Sequence, residues 1–336
     1  MSWSCSSLLP PPSSPPMLRA LLAGTGLILL SGVVYGTAVE PRFLLDRRSL
    51  EVELPGLPDG WEGRRIAVLA DFQIGMWLGN VGMAEKAVAA AIEEGVELVL
   101  IAGDFVYSAD PSDSDPGSVQ RAVEVVRPLV AAGIPVVAVL GNHDYSLMTK
   151  ESDTRPPLAE ELESELRAIG VTVLENDAVA VPAPGGGDTL HVVGIGSVWA
   201  ENSRPASALA AVPAGAPRVV LMHNPESYRE IPAGEAPLAL AAHTHGGQIR
   251  ILGPRASWLE IVREGEVVAD GWAPASMGGE GNRLYVNRGI GFSTLPIRIN
   301  CRPELTLVTL RKAGEDLPRR VPGDGGSAAS AAWAGS

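Results

Sequence analysis

Five short blocks in this chain carry side chains suited to holding divalent cations: Asp71-Phe72-Gln73, Gly103-Asp104, Gly141-Asn142-His143-Asp144, His223-Asn224, and His243-Thr244-His245-Gly246-Gly247. Carboxylate, carboxamide and imidazole groups are ligands of metal type. Each block has an ordinary reading on its own, because an Asp after a strand caps a helix and Gly-Asn-His-Asp makes a polar turn. Together they point elsewhere. Every block closes an apolar run, and four of the five histidines of the chain lie in them. In an open α/β sheet the carboxyl ends of parallel strands meet at one edge, so residues far apart in sequence can share a cavity. His191 lies outside the blocks and is expected to pack or to face solvent. Asp110, Asp113 and Asp115 read as a solvated loop.

The elements that must position these blocks alternate between short apolar runs and helical stretches, the pattern of an α/β domain. Residues 65–70, 96–102, 135–140, 218–222 and 238–242 read as buried strands. Helices are expected over 83–94, closed by Gly95, over 118–132 with a kink or early end at Pro128, and over 158–169. From Val171 the strands shorten and look hairpin-like (171–174, 179–181, 190–194), and 305–310 is the last. A parallel half joined to a more antiparallel half suggests two packed sheets with helices outside.

The 336 residues carry a net charge of −13, which excludes a nucleic-acid binder held by a basic surface. With two cysteines, Cys5 and Cys301, there is no disulfide framework. Residues 1–16, rich in proline, are expected to be disordered, as is the Gly/Ala/Ser-rich tail 313–336. Residues 17–43 form a membrane segment: Ala20 to Val39 is a run of 20 residues without charge, enough to cross a bilayer. A cleaved signal peptide stays open as an alternative, with Gly36-Thr37-Ala38 offering small residues. Arg19 before the run against Arg42, Arg47 and Arg48 after it favours a cytoplasmic catalytic side over an exported one. Residues 44–312 are left as the catalytic domain.

The blocks resemble the pattern of the calcineurin-like metallophosphoesterases: D-x-H, G-D, G-N-H-D/E, a lone H, then G-H-x-H. The resemblance covers about 45–310 and is similar to a membrane-associated branch, marked by Glu40-Pro41, His223-Asn224-Pro225-Glu226 and Arg298-Ile299-Asn300-Cys301-Arg302-Pro303-Glu304. That branch includes bacterial phosphodiesterases and enzymes that cleave the pyrophosphate of a lipid-A precursor. The implied fold is a four-layer α/β/β/α sandwich of two mixed sheets. The resemblance implies that Asp71, Gln73, Asp104 and His245 surround a first metal and that Asp104, Asn142, His223 and His243 surround a second. Asp104 bridges the two. It further implies a metal-bridging hydroxide as nucleophile and His143 at the leaving-group side, with Asp144 orienting it or, equally, capping a turn.

Gln73 stands where the family has histidine, and Ala242 where it has glycine. A carboxamide is harder than imidazole, so the expected metals are two manganese ions, with magnesium, iron or zinc as alternatives. Arg288 and Arg298 are candidates for a substrate phosphate or for core capping, and Gly289 and Gly291 for close backbone approach. Residues 253–282, with Trp258, Trp272 and Met277, read as a lid or a meander. The expected function is a membrane-anchored phosphoesterase acting on a phosphodiester or pyrophosphate, lipid-linked or nucleotide-linked. Two alternatives stay open: a phosphomonoesterase or phosphoprotein phosphatase with the same metals, and a non-catalytic phosphate-binding membrane protein. Oligomeric state is not legible.

Overall fold

The computed structural model describes residues 16–107, 117–150, 152, 156–250 and 268–314. The proline-rich leader, Asp110, Asp113, Asp115, Trp258 and the tail beyond 314 lie outside them. The helices are α1 (Pro16–Val34), α2 (Glu40–Phe43), α3 (Val81–Glu93), α4 (Ser118–Ala131), α5 (Pro156–Ala168) and α6 (Pro205–Ala210). The strands are β1 (Asp46–Leu54), β2 (Arg65–Leu69), β3 (Leu98–Ala102), β4 (Val136–Val139), β5 (Thr172–Val173), β6 (Asp177–Pro182), β7 (Thr189–Gly194), β8 (Arg218–Leu221), β9 (Ala239–Ala241), β10 (Gly271–Trp272), β11 (Leu284–Val286) and β12 (Glu304–Lys312).

They form two six-stranded sheets, ordered β1-β12-β2-β3-β4-β5 and β10-β11-β9-β8-β7-β6. The pleat sends successive side chains to opposite faces and so builds the layers. Ala67, Leu69, Val99 and Ile101 face α3, α4 and α5 in one core. Their neighbours Ile66, Val68, Leu98 and Leu100 point the other way, to meet Leu190, Val192, Val219, Leu221 and Leu240 of the second sheet. On the outer face of that sheet Val193, Val220, Ala239 and Val286 pack with Ala208, Leu209 and Tyr228. The result is the expected four-layer α/β/β/α sandwich.

Both sheets have parallel centres. Antiparallel pairing occurs at β12–β2, β6–β7 and β10–β11, so the division into a parallel and an antiparallel half gives way to two mixed sheets. Residues 171–174 are not part of a hairpin. β5 follows α5 and adds in parallel to β4, a crossover connection. β1 was not apparent as a strand. Its exposed residues alternate with half-buried ones and then with the fully buried Val52 and Leu54, and it pairs in parallel with β12 along its full length at the sheet edge. α4 runs through Pro128 to Ala131 rather than ending there. In the described part of 253–282, Trp272 lies edge-on to Tyr285, with ring centroids 5.3 Å apart. It belongs to a strand there, while Met277 lines a cavity.

Candidate metal centre

The five blocks emerge at the carboxyl ends of β2, β3, β4, β8 and β9, and the two sheets bring those ends together. The backbone turns sharply at the exits of β2, β3 and β9: φ is positive at Asp71 (53°), Gln73 (51°), Asp104 (57°), His243 (74°) and His245 (50°). Non-glycine residues rarely adopt this conformation, and where they cluster they mark positions that the surrounding structure holds against strain. Glycines let the strand ends approach. A Cβ on Gly141 would lie 2.1 Å from Asp104 Oδ1, and one on Gly289 would lie 2.2 Å from Asp71 Oδ2.

One group of ligand atoms converges on His223 Nε2. Its Nδ1–H donates to the Ala102 carbonyl (2.7 Å), so Nε2 carries a lone pair in the neutral ring. Around Nε2 stand Asn142 Oδ1 at 3.0 Å, Asp104 Oδ2 at 3.2 Å and His243 Nδ1 at 3.2 Å. Asn142 is held in this orientation because its Nδ2 donates to Leu147 O at 2.8 Å. Acceptor atoms facing one another at these distances need a positive charge among them. Burial disfavours the imidazolium of His223, but the charge and contact of Asp104 outweigh it and push its pKa up to about 9. A divalent cation would meet the same demand.

The second group lies beside it. Among the described residues, both carboxylate oxygens of Asp71 and Oε1 of Gln73 are buried with no hydrogen-bond partner. Gln73 Nε2 donates to Asp104 Oδ2 at 2.8 Å, so the side chain sits against the shared carboxylate. Asp71 Oδ1 is 3.9 Å from His245 Nε2. Ligand atoms of Asp71, Asp104 and His245 fall within 4.8 Å of one another, as do those of Asp104, His223 and His243. Asp104 belongs to both groups. Burial, reinforced by the charge of Asp104, pushes the Asp71 carboxyl up to about 7. Burial would raise Asp104 as well, but His223 and His143 hold it below the usual carboxylate range. His243 is lowered to about 4 by burial and by His223, and His245 is lowered by burial and by Arg298. The neutral imidazoles of His243 and His245 and the buried, unpartnered carboxylate oxygens of Asp71 fit two adjacent divalent cations, one of which would replace the proton that His223 otherwise holds.

His143 sits at the cavity wall with its Nδ1–H on the Tyr107 carbonyl (2.6 Å) and its ring stacked on Tyr107 at 5.2 Å. Its Nε2 is therefore the nitrogen available to a ligand. The orienting role expected of Asp144 is not what the structure shows. Asp144 accepts from the backbone N–H of Asp104 (2.9 Å), Gly141 (2.8 Å) and Val106 (3.1 Å), and so braces the strand ends rather than the imidazole. These three N–H groups are the hydrogen-bond donors of the fully buried carboxylate among the described residues, while His143 Nδ1–H goes to the Tyr107 carbonyl instead.

Arg288 and Arg298 resolve as core caps. Arg288 Nε meets Glu304 Oε2 at 2.5 Å. Arg298 is fully buried and donates to the carbonyls of Gly291 (2.8 Å), Arg288 (2.9 Å) and Cys301 (3.2 Å), with Nη2 3.5 Å from His245 Nδ1. His191 lies in β7, opposite Ala180 and away from the centre.

Beside the ligands opens a cavity of about 390 Å³, whose wall includes His143, His243, Trp199, Lys150, Met148 and Leu295. Two further contributors line this cavity, of which Trp199 carried no recognisable signal and Gln248 closes the His-Thr-His-Gly-Gly-Gln motif. Trp199 lies edge-on to His243 with ring centroids 4.7 Å apart. Gln248 pins the loop at the cavity mouth by donating to Leu295 O (2.8 Å) and Ile297 O (2.9 Å) and accepting from Ser293 N–H. Its position directly after the His-Thr-His-Gly-Gly block was the available hint.

A family model described as calcineurin-like phosphoesterase matches residues 64–247, more than half of the chain. The chain belongs to this family. Phosphodiesterase YaeI of Escherichia coli is 30% identical over 254 residues, covering 73% of this chain and 82% of that one. A zebrafish transmembrane protein with a metallophosphoesterase domain is 25% identical, over 83% of this chain and 60% of its own length. The UDP-2,3-diacylglucosamine pyrophosphatase LpxG of Chlamydia trachomatis is 29% identical over 125 residues, covering 36% of this chain and 37% of that protein. The protein is thus a metal-dependent phosphoester hydrolase of the four-layer α/β class, with one apolar N-terminal helix that could serve as a membrane anchor.

Proposed function

We propose that the protein is a membrane-anchored phosphodiesterase or pyrophosphatase. Asp71, Gln73, Asp104 and His245 would hold one divalent cation, and Asp104, Asn142, His223 and His243 the other, with manganese preferred because four of the seven side chains, Asp71, Asp104, Gln73 and Asn142, offer oxygen. When bound, such a pair supplies Lewis acidity toward phosphoryl oxygens and lowers the pKa of water. The chain does the rest. Asp104 and Asp71 bring two negative charges into a dry site and fix the spacing of the two groups. The Tyr107 carbonyl holds Nδ1–H of His143, so that Nε2 faces the leaving oxygen; when the ring is protonated on both nitrogens, Nε2–H gives its proton to that oxygen and the neutral Nδ1–H ring is left behind. The cavity beyond has room for substituents on both sides of the phosphorus, as a diester or pyrophosphate requires. YaeI and LpxG, by their names, support these two bond types.

A retained anchor is supported by its packing. Gly36 is buried, its carbonyl accepts from Arg298 N–H at 2.8 Å, and a Cβ there would lie 2.7 Å from Ile299 Cγ1. Glu40 is fully buried and accepts from Asn300 N–H (2.8 Å) and Cys301 N–H (2.5 Å). Cleavage after Ala38 would separate the Gly36 contact from the domain.

The convergence of Asn142, Asp104 and His243 on His223 Nε2 carries this reading. Its test is full-length protein in detergent, incubated with a chromogenic phosphodiester and Mn²⁺, with elemental analysis of bound metal. Two equivalents per chain, turnover abolished by chelator, and loss of both in Asp104→Asn are expected. Folded protein that binds no divalent ion, or Asp104→Asn with full turnover, would refute it. Faster turnover of monoesters than of diesters would shift the assignment to a phosphomonoesterase.

A further inference from the structure

Large apolar side chains that stay exposed among the described residues are concentrated at one place. Apart from α1 itself they are Val39, Phe43, Trp77, Leu78, Met148 and Leu295. Val39 and Phe43 form the exit of the anchor. Trp77 and Leu78, 59% and 61% exposed, lie on the loop that grips this exit: Arg42 Nη2 donates to Leu78 O (2.9 Å) and Nη1 to Gly79 O (3.1 Å), while Asn80 Nδ2 donates to Pro41 O (2.6 Å). Leu295, 54% exposed, lies on the loop that grips the preceding turn, two residues from the Ile297 that packs on Gly36. Both loops are therefore tied to the chain within a turn or two of where α1 leaves the bilayer. Leu295 also lines the cavity wall, together with Met148, so this wall of the cavity adjoins the loop tied to the anchor.

We infer that Trp77, Leu78 and Leu295 form a docking surface for the bilayer that α1 enters, seating the mouth of the metal cavity in the headgroup layer. The inference rests on the anchored reading above. Continuity with the anchor selects the occupant: a domain bound to the last turns of a spanning helix cannot lift this face far from the membrane, and Trp beside leucines is the composition of an interfacial surface. A cavity so placed receives its phosphoester from the lipid layer itself. The preferred substrate class is then a phosphodiester or pyrophosphate whose apolar portion remains in the membrane.

The experiment uses the full chain with Cys5→Ser, Cys301 being buried, reconstituted in phosphatidylcholine–phosphatidylglycerol vesicles. Single cysteines at Leu78, Leu295, Leu27 in α1 and the exposed Gly186 carry a nitroxide, and accessibility to oxygen is compared with accessibility to a water-soluble nickel chelate. Positions 78 and 295 should show an oxygen-to-nickel ratio several-fold above that at 186 and approaching that at 27. Ratios at 78 and 295 equal to that at 186, with 27 still lipid-exposed, would overturn the docking surface and leave the anchor intact. Water exposure at 27 as well would overturn both.

Discussion

Gly141→Ala isolates the shared carboxylate without touching a ligand. The backbone at Gly141 lies outside the left-handed region, so an alanine there meets no conformational penalty of its own. Its Cβ would nevertheless lie 2.1 Å from Asp104 Oδ1 and 2.7 Å from Asp104 N, where ordinary contact begins at 3.4 Å. Relief requires the Asp104 carboxylate and its backbone to retreat by on the order of 1 Å, a misplacement that costs about 100-fold in rate at a catalytic centre. The retreat also strains the bond from His143 N–H to Asp104 Oδ1, now 2.9 Å. Hydrogen bonds to charged groups contribute about 1.5–3 kcal/mol. Overpacking of a tight interior costs a similar amount, about 1–3 kcal/mol. The expected variant folds with a lowered Tm, retains less than two equivalents of metal after dialysis, and hydrolyses a chromogenic diester about 100-fold more slowly. Full metal content with turnover within about threefold of wild type, a difference of under about 1 kcal/mol, would show that the position of Asp104 does not govern the site.

Replacing Gln73 with His exchanges the harder ligand for the softer one, and metal competition should move from manganese toward zinc or iron; unchanged selectivity would mean that Gln73 does not touch the ion. Asp144→Asn should leave the Val106 N–H facing an amide N–H₂, a loss of about 1–3 kcal/mol visible as a lower Tm, with the basic limb of the pH–rate profile unmoved. An unchanged Tm with a displaced limb would restore the orienting role toward His143. Glu40→Ala strips two acceptors from the loop that carries Arg298 and should weaken metal retention through His245, measured by elemental analysis after dialysis, although Glu40 contacts no ligand.

The candidate centre was legible because each ligand closes an apolar run, and the ends of parallel strands have to meet. Strand ends place Asp71, Asp104 and Asn142 at the edge of one sheet and His223 and His243 at the edge of the other, and that the two edges face one another was legible through the resemblance. The braces were not legible for the opposite reason. Asp144 and Arg298 are satisfied mainly by backbone groups, which every residue offers, so nothing in the sequence indicates whether a carboxylate turns to an imidazole or to three amides. The same limit hid β1: its alternation of charged and apolar residues is that of an exposed edge strand, and its partner β12 lies some 250 positions away, at Glu304–Lys312.

The junction between the apolar N-terminal helix and the domain shows how such invisible partners carry a consequence. Glu40-Pro41 stood out in the sequence only as a mark of resemblance, and a boundary drawn at residue 44 treats everything before it as a tether. In the structure Glu40 is as buried as Asp104, and its carboxylate holds the backbone of Asn300 and Cys301. Two residues earlier in that loop, Arg298 spans from the Gly36 carbonyl, through its backbone N–H, to His245, through its guanidinium. A chain of packed groups therefore runs from the last turn of the helix to a candidate metal ligand. A fragment starting at 44 lacks both Gly36 and Glu40, and its inactivity would reflect the missing brace as much as a missing membrane. Comparing fragments that begin at 35 and at 44 separates the two causes: restored metal binding in the longer one assigns the effect to the junction, and equal metal binding in both would show that the brace is dispensable.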